Sequence, residues 1–169
     1  FTLDPLFHAG AYYVQEAASM FIEQAVNQLL ETKEGLNVLD LCAAPGGKST
    51  HLLSLLPGSS LLVVNEIIRS RANILHEKIC KWGYPNAIVT NNAPKDFSRL
   101  NGFFDVILVD APCSGEGLFR KDPDAVNEWS ENNVALCAER QRKILGDIWP
   151  ALKDGGLLIY STCTYNRKE

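Results

Sequence analysis

Cys113 and Cys163 are the residues in this chain best suited to covalent chemistry. Each follows a short apolar run, Phe104 to Val109 and Leu157 to Tyr160, so each thiol is expected at the end of a strand. A thiolate adds to an electron-poor ring carbon near neutral pH when a positive neighbour or a helix end lowers the thiol pKa. Strands four and five are expected beside the first, about 5 Å apart per step, which lets both sulfurs face one substrate. The other three cysteines read differently. Cys80 and Cys137 sit inside helical patterns next to apolar residues, where a small buried thiol is the ordinary reading, and Cys42 reads as a packing residue at the edge of a ligand loop. The cysteines number five, lie far apart and form no CxxC pair, which argues against a disulfide framework or a zinc site and for reduced thiols.

The second chemical signal is Val38 to Thr50, VLDLCAAPGGKST. An apolar run ends in Asp40 and breaks into Cys42, Ala43, Ala44, Pro45, Gly46, Gly47 and Lys48, a turn with little side chain to keep a ligand from the backbone. A P-loop would need glycine where Cys42 stands, and the dinucleotide fingerprint fails because Gly46 and Gly47 are adjacent with no third glycine in place. S-adenosylmethionine fits better: it is a nucleoside without a pyrophosphate, and loop carbonyls, Asp40 or Asp110 could meet its amino group. An ordinary tight turn without a ligand is the plain alternative. Glu66 closes the next apolar run, 26 positions after Asp40, where an acidic residue suits ribose hydroxyls.

The elements that must position these residues follow from periodicity. Val14 to Lys33 is expected to be a helix whose stripe of Met20, Phe21, Ala25, Val26, Leu29 and Leu30 faces the core, with Gln15 and Glu16 opening it. Strands are expected at Val38, at Leu61 to Val64, at Ala87 to Thr90, at Phe104 to Val109 and at Leu157 to Tyr160. Helices are expected at Lys48 to Leu56, at Arg69 to Trp82 with Ile74, Leu75 and Ile79 inward, and at Glu131 to Leu152 behind a Ser130 cap, with Pro150 distorting the end. Leu118 to Glu128 reads as a long connection. This alternation predicts a doubly wound, Rossmann-like α/β fold with a parallel sheet, which binds ligands at the carboxyl ends of its strands.

At 169 residues and 46% apolar composition, one domain with a real core is expected, comprising residues 1–169 with its βα core at 38–164. No apolar stretch reaches membrane-span length and no secretory leader opens the chain, so a cytoplasmic location is expected. A net charge of -4 does not advertise a nucleic-acid surface.

The motifs LDLCAAPGGKS at 39–49, DAPCSGEG at 110–117 and STCT at 161–164, with YYVQEAAS at 12–19 as weaker support, resemble the RNA 5-methylcytosine methyltransferases related to bacterial ribosomal-RNA cytosine methyltransferases and the Sun group. The resemblance covers nearly the whole chain. It implies an S-adenosylmethionine-dependent transfer to carbon 5 of a cytosine in RNA, ribosomal more than transfer RNA. Cys163 would be the nucleophile at carbon 6, Cys113 the thiol that helps release the product, and Asp110 and Lys48 contacts to the base or cofactor. Cys42 to Lys48 would hold the cofactor, with Glu66 on the ribose and Arg71 helping. Where many members carry a carboxylate near the end of strand three this chain has Ala93, and Asn92 is the expected substitute. An antiparallel pair beyond strand five and further RNA-binding segments are expected outside these residues, which leaves an edge open to self-association. Two other readings remain: a catalytically inactive RNA-binding module, and an amino-group methyltransferase, whose [DN]PP[YFW] loop would put a ring where DAPC has a thiol.

Overall fold

The computed structural model describes residues 1–29, 34–122 and 124–169. Its centre is a parallel five-stranded sheet in the order β3-β2-β1-β4-β5, comprising β1 (Asn37–Asp40), β2 (Leu61–Asn65), β3 (Ala87–Thr90), β4 (Phe104–Asp110) and β5 (Leu152–Ser161). Strand β4 lies beside β1 as expected, but β5 is one step farther out and pairs with β4 alone. Leu62 and Val106 flank Val38 in register, so the inner strands are covered above and below and read as unbroken apolar runs.

Alternation along the strands divides the core in two. Val38, Leu62, Val64, Val106 and Leu108 face α3 (Ile22–Leu29), α4 (Gly47–Leu55) and α5 (Arg69–Trp82) through Val26, Leu52, Leu53, Leu75 and Ile79. Leu39, Val63, Ile107 and Val109 face the opposite side, against Phe97, Phe104 and the Ile144 and Ile148 side chains of α7 (Glu131–Ile148). Each fully buried side chain of this size contributes about 1.5–3 kcal/mol. Ser130 caps α7 through its Oγ, which accepts from Asn133 N at 3.1 Å.

Several expectations need correction. The helix foreseen over 14–33 is two short pieces, α2 (Ala17–Met20) and α3, separated at Phe21 and preceded by extended backbone at Glu16; Leu30 to Lys33 lie outside the described residues. Met20 and Phe21 are exposed, and Ile22 and Val26 carry the buried stripe, because the break rotates α3 relative to one continuous helix. Ile74 and Cys80 are exposed on α5, while Cys137 is buried as expected. Helix α7 ends at Ile148, and Pro150, which has no N–H to give, sits in a 3₁₀ turn over Trp149–Ala151. The fifth strand then starts at Leu152 instead of Leu157, running through Gly155 and Gly156 with an irregular register opposite Phe104 and Val106. The connection before α7 holds a 3₁₀ turn, Glu116–Leu118, and a short α6 (Ala125–Glu128); the chain opens with α1 (Pro5–His8).

Candidate active site at the strand ends

The loop after β1 is held from below and from the side. Leu41 N donates to Leu108 O at 2.9 Å and Ala43 N to Asn65 O at 2.8 Å, which ties the loop to β4 and β2. Gly46 takes a φ of 102° at the start of α4, a conformation that a side chain would strain. Gly47 must be bare for another reason: a Cβ there would stand 2.5 Å from Gln15 Oε1 and 2.9 Å from Tyr13 Cε1. The segment 13–15 thus lies directly against the loop, and Lys78 Nζ sits 3.9 Å from the centre of the Tyr13 ring.

Between segment and loop is a cavity of about 210 Å³ lined by Cys42, Ala43, Ala44, Pro45, Gly47, Lys48 and Asp110, all expected from sequence, and by Tyr13, Gln15, Ser19 and Asp40. Gln15 was read as the start of a helix; the bareness of Gly47 was the available signal that something packs on the loop. Gly46, Glu66, Arg71 and Asn92 do not line this cavity. Glu66 and Arg71 reach the loop indirectly. Arg71 Nη2 donates to Ala44 O at 2.8 Å and lies 3.4 Å from the buried Glu66 Oε2, whose other oxygen accepts from Ile68 N at 3.0 Å. Asn92 is exposed and bonds through its backbone to the Asn65 side chain.

Two buried polar atoms on this cavity have no protein partner, the donor Gln15 Nε2 and the acceptor Asp40 Oδ1. Asp40 Oδ2 accepts from Ser49 Oγ at 2.7 Å, but burial dominates and pushes the carboxyl up to about 7. Unpaired buried groups of both kinds suit a ligand with an ammonium and a carboxylate. An acid with a raised folded pKa binds more protons folded than unfolded, so stability falls as pH rises from the ordinary 3.8 through about 7. The slope reaches at most about 1.4 kcal/mol per pH unit. Asp40→Asn is expected to flatten that decline in a series of thermal melts from pH 4 to 8, and an unaltered profile would rule out a buried, desolvated acid.

Across β4 and β5 the chemistry changes. Lys48 Nζ donates to Asp110 Oδ2 at 2.6 Å and Ser161 Oγ to Asp110 Oδ1 at 2.6 Å, which orients the carboxylate from both sides. Past these residues the sulfurs of Cys113 and Cys163 stand 3.0 Å apart. The hydrogen bond from Cys163 brings Cys113 down to about 6, and the same bond pushes Cys163 up. The pair therefore holds one shared proton and one negative charge at neutral pH. Moving that proton across the gap turns either sulfur into the nucleophile. Cys42 is no third candidate, since burial raises it to about 12.

A family model described as 16S rRNA methyltransferase RsmB/F matches residues 27–169. The chain belongs to this family. Among its relatives, the ribosomal RNA small subunit methyltransferase F of Shewanella loihica is 42% identical over 162 residues, which cover 95% of this chain and 33% of that protein. The enzyme of the same name from Pectobacterium carotovorum is 42% identical over 165 residues, with 95% and 33% covered. The solved structure of NSun6 from Pyrococcus horikoshii with SFG superposes with a TM-score of 0.87 at 30% identity, covering 100% of this chain and 42% of that one. The chain thus spans about a third of the length of the curated relatives it matches. Membership in the RsmB/F family accords with the three strand-end motifs, and the parallel sheet is the methyltransferase fold they implied. Among the described residues no helix is long and apolar enough to cross a membrane.

Proposed function

We propose that this chain is the catalytic region of an enzyme that methylates carbon 5 of a cytosine in small-subunit ribosomal RNA through a covalent adduct between Cys163 and carbon 6. The observation that carries the reading is the thiol pair at 3.0 Å on neighbouring strand ends, next to the Lys48–Asp110–Ser161 chain. S-adenosylmethionine, held by Cys42 to Lys48, Asp40, Gln15 and Glu66, supplies the electrophilic methyl. Carbon 5 of cytosine is too poor a nucleophile to take it directly. Cys163, after passing its proton to Cys113, forms a sulfur–carbon bond at carbon 6, and the displaced ring electrons make carbon 5 enamine-like. Asp110 accepts from the exocyclic amine while Lys48 holds it in place. After transfer, a base takes the proton from carbon 5, the ring double bond re-forms, and the Cys163 sulfur leaves with Cys113 assisting. Family membership and the relatives' ribosomal RNA names support the substrate class, and reduced thiols suit a cytoplasmic reaction.

The test is bisulfite mapping of small-subunit rRNA from cells with and without the full-length gene. One cytosine should resist conversion only when the gene is present; identical maps would overturn the reading. The cofactor assignment has its own check. Glu66→Ala should weaken S-adenosylmethionine binding by about 1–3 kcal/mol, the scale for a ligand group left without its partner, or about 5- to 150-fold in Kd. Equal affinities by calorimetry would remove Glu66 from the cofactor site.

A further inference from the structure

A groove of about 300 Å³ lined by Glu116, Gly117, Phe119, Arg120 and Tyr165 lies beside the thiol pair. Its position relative to Cys163 is set by backbone contacts. Gly117 N donates to Cys163 O at 2.6 Å, and a Cβ at position 117 would stand 2.7 Å from that oxygen, so this glycine permits the close approach. Glu116 locks the other side: Oε2 accepts from Tyr165 N at 2.8 Å, and Oε1 accepts from Trp129 Nε1 and Asn166 Nδ2, both at 3.1 Å. These bonds, Asn166 first, hold the Glu116 carboxyl below its usual range, so its charge is well engaged inside the block.

On this anchored backbone Tyr165 is 84% exposed. A large ring held in solvent two residues from the thiol, within about 7 Å of chain, does little for packing. Phe119 supplies a second ring on the same groove, and the Arg120 side chain, 79% exposed, stands at its rim. Arg120 and Lys121 share the single carboxylate of Glu16, which leaves the rim one positive charge in excess. Aromatic faces combined with a guanidinium and an excess cation are the chemistry that grips single-stranded nucleic acid, where bases stack and phosphates pair.

We propose that this groove is a stacking site for the nucleotide adjacent to the target base, with its base on Tyr165 and Phe119 and its phosphate on Arg120. The proposal rests on the RNA-methyltransferase reading above and adds the group that positions the strand once the target base is turned toward Cys163. Stacking on a ring is indifferent to the hydroxyl, so Tyr165→Phe and Tyr165→Trp should behave like wild type while Tyr165→Ala should not.

The test uses the full-length protein and two readouts. In methylation of transcribed small-subunit rRNA, Tyr165→Ala should raise KM for RNA about tenfold, a typical stacking contribution, without changing the Kd for S-adenosylmethionine, and Phe119→Ala should raise KM less. Tyr165→Phe should restore the wild-type KM. In a second readout that needs no turnover, a single-stranded RNA dodecamer carrying 2-aminopurine should be quenched on binding wild type and the Phe variant, and much less by the Ala variant. Equal quenching by wild type and Tyr165→Ala, or an Ala-like Phe variant, overturns the proposal. So does a lower melting temperature of Tyr165→Ala with RNA binding intact, which would show that another segment of the longer protein covers the groove. An enzyme that leaves cytosines unmethylated yet loses quenching in Tyr165→Ala would instead sink the reaction assignment and keep the stacking site.

Discussion

Cys163→Ala in the full-length enzyme is expected to lower methyl transfer by about 10⁶-fold, the scale of a lost nucleophile, and to form no covalent RNA complex. Cys113→Ala is expected to do the opposite on a denaturing gel, accumulating protein covalently joined to RNA. The difference follows from the geometry. With the two sulfurs 3.0 Å apart, Cys113 can take the Cys163 proton as carbon 6 is attacked and assist when the bond is broken. Without Cys113 the first step remains open to Cys163, whose thiol is no longer pushed up by its neighbour, but the release step has lost its partner. Wild-type activity should also fall as pH drops through about 6, where the pair takes up its second proton and no thiolate remains. A trapped complex in Cys163→Ala and none in Cys113→Ala would assign the nucleophile to the DAPC loop.

Asp110→Asn is expected to lower kcat by about 10²- to 10⁴-fold, the range for a group that manages a proton or charge on the reacting ring. Asp110 is the one residue that joins the cofactor cavity to the thiol side: it lines the cavity, accepts from Lys48 and is fixed by Ser161. The amide keeps the shape but can no longer offer two anionic oxygens, so Lys48 loses its counter-charge and the cytosine amine loses its acceptor. Titration calorimetry separates the two roles open to this carboxylate. A kcat collapse with S-adenosylmethionine affinity nearly unchanged places it on the base; a comparable weakening of cofactor affinity places it on the methionine end. Unchanged kcat would exclude both.

Much of this site is legible along the chain because strand bodies and strand ends obey different chemistry. Val38 to Asp40, Leu61 to Asn65 and Phe104 to Asp110 are apolar where covered on both faces and polar where they emerge, so the ends could be read without knowing how the strands are ordered. The errors fall where local periodicity is ambiguous. Val14 to Lys33 has enough apolar residues to satisfy one helical repeat, but the packing of Tyr13 and Gln15 on Gly47 keeps the chain extended through Glu16, and that contact spans more than thirty positions. Likewise Leu152 to Gly156 contains two glycines and two charges, a pattern that reads as a turn, yet pairing with β4 draws it into the sheet.

By itself, then, the sequence determined the fold class, the loop that could accept a nucleoside cofactor and the two thiols worth comparing, since each is written in residues adjacent along the chain. Only the tertiary structure decided that β4 stands between β1 and β5, that two sulfurs 50 positions apart share a proton, and that Gln15 and Asp40 leave unpaired atoms on one cavity. Those facts depend on which strands are neighbours and on which segment closes over them. That selection is made by burial and hydrogen bonding between distant parts of the chain, and no local pattern of residues encodes it.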